Sequence, residues 1–394
     1  MQEERLFRKD FVFIIIINFL VFLNHLAILA TFPFYIEALG GSEAVAGMAV
    51  ALFCVVSVVC RPFIGWMLDN GKRKMILAVG LFGMLLMPLG YLFLHTLVLA
   101  FVCRMVHGAA LAFSNTSTAT IATDSVPRSR FAEGMGIFGL ATALATPPDC
   151  AKPRIGLALM EKCGFSVLFL FGSLSIALAL VLFFLLKAPN IAVEKKPLSV
   201  KGLFDKNAVP ASLTAVVFMF TYGALENFAA KFAAEKGLPS GGLFFVIMAV
   251  TVLIMRMTAG KVTDRHGEGI FAYSCNIAMF AAFLLLGLFP NTVTYLLAAV
   301  LSGFGFGGLE PALQSMAVAI APPEKRGSAN STFLCAYDIG IGIGGAIAGG
   351  LISSFGYETM FTGMSVFNLL SIVIYVLIGR NHPSSFSYRK RMAR

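Results

Sequence analysis

The chain has 394 residues, of which 58% are hydrophobic and only 13% are charged, and its formal net charge is +10. This composition leaves too little polar surface to cover a water-soluble globule of that size. It excludes an ordinary soluble domain and places the chain in a lipid bilayer.

Apolar segments of roughly 20 residues, the length that crosses about 30 Å of hydrocarbon as a helix, recur along nearly the whole sequence. We predict six spans in the first half, at residues 11–36, 44–68, 75–95, 98–122, 131–160 and 164–186. Six more follow, at residues 210–233, 241–262, 270–289, 293–320, 327–355 and 359–378. The expected fold is therefore an all-α membrane protein with twelve transmembrane helices in two six-helix bundles, residues 1–186 and 208–394. Residues 187–207 form the predicted cytoplasmic linker.

A short polar signature occurs twice. Residues 65–74 contain Gly65, Asp69 and a basic run, and residues 260–267 contain Gly260 and Asp264 followed by Arg265. The two aspartates are 264 − 69 = 195 residues apart, about half the chain. The same offset relates Arg61 to Arg256, Gly108 to Gly303 and Pro127 to Pro322. A tandem duplication in a strongly apolar chain is typical of a transporter built from repeats around a central path.

The basic residues alternate between loops when the N-terminus is placed in the cytoplasm. One side then carries Arg5, Arg8, Lys9, Lys72, Arg73, Lys74, Arg128, Arg130, Lys195, Lys196, Lys201, Arg265, Lys325, Arg326, Arg389, Lys390 and Arg391. The other side keeps little more than Lys162, Lys231 and Lys236. This distribution predicts a multi-pass protein of the cell membrane with both termini cytoplasmic and its basic surplus facing anionic lipid, not nucleic acid.

The chemistry of a membrane enzyme has no support in the residue pattern. The seven cysteines are scattered without a CxxC pair, and none of the five histidines stands at H-E-x-x-H or comparable spacing. We therefore predict no metal site and no cofactor. A P-loop of the form G-x-x-x-x-G-K-[ST] is also missing, which argues against ATP as the direct energy source.

With these features the chain resembles the major facilitator superfamily. In that family the loop between spans 2 and 3 carries a G-x-x-x-D-R-x-G-R-K-like motif, which is repeated in similar form between spans 8 and 9. The second copy fits through Gly260, Asp264, Arg265 and Gly267, whereas the first has Asn70 in place of the arginine. Arg104 with Gly108 is similar to the R-x-x-x-G signature of span 4 in that family. The resemblance, closest to proton-coupled drug and metabolite efflux members, covers essentially the whole chain.

The duplicated motif predicts a conformational latch. Glycine lets two helices approach closely at the membrane edge, and an aspartate at a helix end can pair with nearby cations or helix termini. The resemblance implies that the latch holds the outward-facing state, and its expected members are Gly65, Asp69, Arg73, Gly260, Asp264 and Arg265. The alternative is that the basic loop residues only set the topology.

An ionisable side chain inside a span costs roughly 2.5 to 3.5 kcal/mol on insertion scales and usually faces a cavity or a partner. Proton coupling needs such a group, and the candidates are Asp338, Glu310, Glu226 and His25. Two alternatives stand beside this assignment. Asp338 begins a glycine-rich run and could be a structural hydrogen-bonding residue, and His25 could be a neutral hydrogen-bonding partner between helices.

Polar residues also fall on spans 1, 4, 7 and 10, which line the central cavity in the family that the chain resembles. Arg104, His107 and Asn115 share one stripe of a helix by their spacing. The predicted substrate-cavity residues are Asn24, Arg104, His107, Asn115, Tyr222, Asn227 and Gln314. Arg61 and Arg256 are instead expected to snorkel to the membrane edge or to pair at a helix end.

Span 5 departs from the resemblance. Proton-linked exporters of the family carry a G-P-x-x-G-G-like motif there, whereas this chain has three prolines and three charges within residues 147–154. Either Asp149, Lys152 and Arg154 form an unwound substrate site, or the segment is a local frameshift or other damage.

These observations predict a secondary transporter that works by alternating access, most simply a proton-coupled exporter of small organic molecules. A proton-linked importer of a small metabolite is the alternative within the same class. A sensor would need a soluble signalling domain, for which both tails are too short. The expected partners are a small-molecule substrate, protons and the lipid bilayer, and we expect a monomer.

Overall fold

The computed structural model describes residues 6–93, 96–145, 155–187, 197–239 and 241–392, which are helical apart from short connections and contain no strand. The first half comprises α1 Lys9–Ala38, α2 Glu43–Asp69, α3 Arg73–Phe93, α4 Leu97–Ser125, α5 Phe131–Ala145 and α6 Ile155–Leu185. The short helix α7 Val200–Leu203 follows. The second half comprises α8 Val209–Glu235, α9 Gly241–His266, α10 Gly269–Leu288, α11 Thr292–Val318, α12 Arg326–Ile374 and α13 Phe386–Met392.

Within these described ranges, ten helical segments are long and apolar enough to cross a membrane. The last of them, Pro323–Gly379, has 57 residues, about twice what one crossing needs. It is broken at Gly356, whose φ of 80° lies in the left-handed region that glycine adopts without a Cβ clash. The break falls between the predicted spans at 327–355 and 359–378. The all-helical membrane architecture predicted from composition is therefore confirmed.

The fifth predicted span, residues 131–160, covers α5 and the start of α6. A second left-handed glycine, Gly164 with φ of 79°, interrupts α6 where the sixth predicted span begins. The anomalous segment with Asp149, Lys152 and Arg154 lies outside the described residues.

Helices α1 to α6 pack mainly on one another, and so do α8 to α12. The two sets meet chiefly where α2 packs against α12 and where α5 packs against α9. The offset of 195 residues converts the first of these contacts into the second. The duplication seen in the sequence thus extends to the way in which the halves touch.

Glycines of α12 allow its close approach to α8. A Cβ built at Gly344 would overlap the backbone of Phe220, whereas a Cβ at Gly342, two residues earlier, would meet no atom within 4 Å. Gly344 is buried and Gly342 is exposed. The two positions therefore separate the packing role of the glycine run from its effect on helix propensity.

This contrast gives the first prediction. Gly344→Val should lower the free energy of unfolding by about 1–3 kcal/mol, because the added methyl groups force α12 away from α8. Gly342→Val is the matched control and should leave stability nearly unchanged. Thermal unfolding of the purified variants in detergent measures both, and an equal loss in the two would contradict the packing account.

Candidate transport site between the two halves

Asp69 is the last residue of α2, and its carboxylate caps the start of α12. The backbone N–H groups of Gly327 and Ser328 donate to its two oxygens at 2.7 and 3.0 Å. A carboxylate is stabilised there because the first N–H groups of a helix are unpaired and carry partial positive charge. Gly65 makes the approach possible, since a Cβ at that position would lie 2.6 Å from the Cβ of Ser331.

Asp264, the counterpart of Asp69, makes the equivalent contact on the other side. The N–H groups of Ala132 and Glu133, at the start of α5, donate to its oxygens at 2.8 and 2.9 Å. A Cβ at Gly260 would lie 2.4 to 2.7 Å from the backbone of these same two residues, so this glycine is needed for the contact. Each half therefore caps the first turn of a helix in the other half.

The cations predicted to belong to the latch behave differently from each other. Arg73 is buried and pairs with Asp124 of α4, and it also donates to the carbonyl of Pro323 in the second half. Asp124 accepts from Arg326 as well, at 3.1 Å. Arg265 is exposed, and the described part of the chain offers it no hydrogen bond or ion pair. Sequence reasoning missed Asp124 and Arg326, which have no motif of their own.

Arg61 does not snorkel; that prediction was wrong. Its side chain is 3% exposed and pairs with Asp338 of α12, with Nη2 to Oδ2 at 2.7 Å and Nε to Oδ2 at 2.8 Å. It also donates to the Thr116 hydroxyl at 3.2 Å. Asp338 is 24% exposed, so the pair lies at the edge of the buried contact between α2 and α12. A carboxylate partner inside the protein explains why the arginine stays below the membrane surface.

Arg256, equivalent to Arg61, is also buried, contrary to the snorkelling prediction. It pairs with Glu310 of α11, and its guanidinium carbon lies 5.7 Å from the ring centroid of Phe306. A Cβ at Gly139 of α5 would overlap this guanidinium, so the arginine fills a space that α5 leaves open. Both duplicated arginines thus lie at contacts between the halves, each with one carboxylate.

The cavity residues predicted on α1 and α4 come together around Arg104. Its side chain is fully buried, and its guanidinium carbon lies 4.4 Å from the ring centroid of Phe32 and 4.2 Å from that of Phe53. The His25 ring stacks on Phe53 at 5.1 Å between centroids. His107, one turn after Arg104, has its Nδ1 3.3 Å from the Tyr91 hydroxyl.

Asn24 and Asn115 complete the polar residues predicted on these helices. Asn24 is fully buried, and a Cβ built at Gly172 of α6 would lie 3.0 Å from its amide nitrogen. Asn115 is half-buried, and its backbone carbonyl accepts from the Thr118 hydroxyl at 3.0 Å. Asn24 therefore lies in the buried part of α1 beside α6, whereas Asn115 lies about 16 Å along α4 from Arg104 and is separate from the residues around it.

In the second half, Tyr222 stacks on Phe306 with 4.0 Å between the ring centroids. The charges of Glu226 and Glu310 both act on the Tyr222 hydroxyl, which places the three residues in one neighbourhood. Asn227 donates to the carbonyl of Gly223 in its own helix. Glu226 and Asn227 are exposed.

Gln314, the last predicted cavity residue, donates from Nε2 to Asn330 Oδ1 at 3.4 Å. Asn330 in turn donates to Thr123 of α4 at 3.3 Å. This chain of amides joins α11 to α12 and the second half to the first. Gln314 is therefore connected through Asn330 to the contact between the halves.

Cys54 lies near candidate residues of both halves. The sequence did not indicate this position. It lies close enough to Arg61 and Arg104 of its own half and to Glu226 and Asp338 of the other half that all four charges act on its thiol. A cysteine in an apolar helix carries no signal of such a position. The described residues contain no group of three or more His, Cys, Asp or Glu side chains that could hold a metal ion.

The fold and this arrangement define a multi-pass helical membrane protein made of two equivalent halves that meet through duplicated polar contacts. Comparison with known families agrees: the Major Facilitator Superfamily profile matches residues 14–268 and 211–392. The chain belongs to that superfamily, and its general function is therefore transport.

Individual relatives are more distant. The chain is 27% identical over 354 residues to an uncharacterized MFS-type transporter of Burkholderia pseudomallei, covering 84% of this chain and 83% of that one. It is 23% identical to the staphylopine export protein of Staphylococcus aureus, covering 93% and 94% of the two chains. The human organic anion transporter MFSD10 has the same fold, with a TM-score of 0.80 at 17% identity over 93% of this chain and 99% of that one.

The pair of Arg61 and Asp338 gives a second prediction. In a double-mutant cycle of unfolding free energies, Arg61→Gln and Asp338→Asn should show a coupling of about 0.5–3 kcal/mol, because each single change leaves a partly buried charge without its partner. Arg61→Gln combined with Glu358→Gln is the control, since Glu358 pairs with Lys236 instead. Additive effects in the first cycle would show that the ion pair does not stabilise the fold.

Proposed function

We propose that this protein is a secondary active transporter that exports small organic molecules in exchange for protons by alternating access. The observation that carries the proposal is the pair of membrane-embedded carboxylates, Asp338 and Glu310, each bound to a buried arginine where the halves meet. A group whose protonation changes the contact between the halves is what coupling requires. Substrate and proton then use the same conformational change.

The proton step can be followed on Asp338. The carboxylate is 24% exposed, so a proton can reach it from the side that is open. When the proton binds an Asp338 oxygen, the attraction to Arg61 is lost while the guanidinium remains buried. The contact between α2 and α12 then weakens. The end of the molecule that this contact holds closed can then open. Glu310 and Arg256 belong to the same half, and a proton on Glu310 acts on the contact between α9 and α5 only through Arg256, whose guanidinium packs against Gly139 of α5.

Glu226 and His25 are the other proposed proton-binding residues. Glu226 is exposed on α8 and lies one turn after Tyr222, which places it where a proton and a substrate could both reach it. His25 is 8% exposed and lies against Phe53. In this proposal they carry the proton between the open side and the paired carboxylates.

The direction of transport rests on similarity to the staphylopine export protein, whose name states export for that protein. The full proposal has twelve spans in two six-helix bundles, residues 1–186 and 208–394, with the linker at 187–207. It places a monomer in the cell membrane with both termini in the cytoplasm. The basic loops are the support for that orientation.

We further propose that Asp69 and Asp264 form the latch that holds the two halves together at the end of the molecule where these aspartates lie. This closed end corresponds to the outward-facing state. Each aspartate accepts two N–H groups from a helix of the opposite half, so that opening this end breaks four charge-assisted hydrogen bonds in all. Gly65 and Gly260 permit the approach, and Arg73 adds its contact with Pro323. Arg265 is proposed to contribute through the positive charge of the loop.

Cys335 provides a test of the latch, because this native thiol is buried between α2 and α12 with Sγ 3.8 Å from the Val58 carbonyl. In a variant that keeps Cys335 as its single cysteine, Asp69→Asn should raise the rate of labelling by a soluble maleimide severalfold. Asp10→Asn is the control, since Asp10 accepts the Lys187 N–H within the first half. Equal labelling rates in all three proteins would refute the latch.

Transport itself is tested with a substrate panel in inside-out and right-side-out vesicles under an imposed pH gradient. We expect gradient-driven extrusion by the wild type and its loss in Asp338→Asn or Glu310→Gln. Glu358→Gln, which removes a carboxylate that is 39% exposed and paired with Lys236, should leave extrusion unchanged. Accumulation that follows the proton gradient inward would replace the exporter by an importer, and transport that ignores the gradient would overturn proton coupling.

A further inference from the structure

Among the described residues, seven buried polar atoms of α1 and α4 have no hydrogen-bond partner. They are both side-chain atoms of Asn24, Nδ1 of His25, all three guanidinium nitrogens of Arg104 and Nε2 of His107. Buried polar groups are paired in the great majority of cases, and each exception costs about 1–3 kcal/mol. So many on two helices that pack against each other indicate a site that is completed by something outside the described residues.

Arg104 differs from every other buried arginine that the structure describes. Arg61 pairs with Asp338, Arg256 pairs with Glu310, and Arg73 and Arg326 both pair with Asp124. Arg104 has no carboxylate partner in the described residues; the Tyr91 hydroxyl lies within hydrogen-bonding reach of it, and the Cys54 thiol is also nearby, but neither group carries a compensating negative charge at neutral pH. A permanently charged guanidinium in such a place requires a counter-ion.

The surroundings of Arg104 determine what kind of counter-ion fits. The guanidinium lies over the rings of Phe32 and Phe53, which are aromatic contacts that leave a negative partner still to be supplied. A planar fork with open donors matches a carboxylate, which can accept two parallel hydrogen bonds. The amide of Asn24 and the ring nitrogens of His25 and His107 offer further polar contacts, and the phenyl rings offer apolar ones.

The position of the cluster connects it with transport. Cys54, which feels the charge of Arg104, also feels Glu226 and Asp338 of the other half. The cluster therefore lies beside the space between the halves. Because Arg104 and His107 are fully buried, binding of a ligand requires a movement that opens the cluster.

We propose that Arg104, with Asn24, His25 and His107, binds the carboxylate of the transported molecule, so that the substrates are organic anions with an apolar body. This assignment rests on the proposed transport function and names its substrate class. The bound carboxylate supplies the counter-ion that Arg104 lacks. The acidic residues of the second half remain available for protons.

The test is direct binding by the purified full-length protein in lipid nanodiscs, measured by calorimetry. The probes are matched pairs of carboxylates and their neutral carboxamides: acetate and acetamide, phenylacetate and phenylacetamide, phenylpropionate and phenylpropionamide. We expect at least one carboxylate with an apolar body to bind about tenfold or more tightly than its amide. Arg104→Gln should abolish this preference, and Arg104→Lys, which keeps the charge but not the fork, should retain only part of it.

Lys74→Gln is the control, because Lys74 lies at the opposite end of α3 from Tyr91 and donates to the Leu186 carbonyl. It should bind like the wild type. A purely structural role for Arg104 is distinguished by thermal unfolding without ligand: Arg104→Met should be at least as stable as the wild type, since an uncompensated buried charge is removed. If Arg104→Gln fails to fold, Asn24→Leu and His25→Phe must each weaken carboxylate binding.

Equal affinity for every carboxylate and its amide, or unchanged carboxylate binding in Arg104→Gln, would overturn the proposal. A marked loss of stability in ligand-free Arg104→Met would also overturn it, in favour of a structural arginine. Binding needs no pH gradient, so carboxylate binding without gradient-driven transport would refute the proposed coupling and leave this site standing. The reverse result would refute only the site.

Discussion

The need to neutralise charge inside the bilayer governs the arrangement of this protein. Arg61 and Arg256 are each less than 5% exposed, and each has one carboxylate within reach. Both carboxylates can be protonated, whereas the arginines keep their charge. The contact between α2 and α12 therefore depends directly on the ionisation of Asp338, whereas Glu310 neutralises Arg256 within the second half, where that arginine packs against α5. In our proposal the same residues serve stability and coupling.

The duplication repeats the polar contacts between the halves but does not repeat the cluster around Arg104. Asp69 and Asp264 cap equivalent helices across the interface. By the same offset, Arg104 corresponds to Ala299 and His107 corresponds to Ser302, so these two residues of the cluster are not repeated in the second half. In our proposals, the duplicated contacts produce a single conformational change. The substrate and the proton bind at different places, because the residues that bind them are not duplicated.

The sequence predicted the helical membrane fold, the duplication and the family, because apolar length and repeated polar motifs are local properties of the chain. It placed Asp338, Glu310 and Arg104 among the candidates because charges within apolar helices are conspicuous. It could not pair Arg61 with Asp338, which are 277 residues apart. Nor could it single out Phe53, Cys54 or Asp124, since a phenylalanine, a cysteine and a helix-end aspartate are ordinary in such a chain.

Distances between spin labels at the two ends of the molecule, measured in nanodiscs at acidic and neutral pH, test the central claim most directly. One pair of labels is attached in place of the exposed Lys72 and His266, near the aspartate caps. The other pair replaces the exposed Glu37 and Glu235, at the C-terminal ends of α1 and α8 on the other side of the molecule. The account predicts that acid lengthens the first distance and shortens the second, and that Asp338→Asn produces the same change at neutral pH. Distances that change together, or that ignore pH and the substitution, would contradict it.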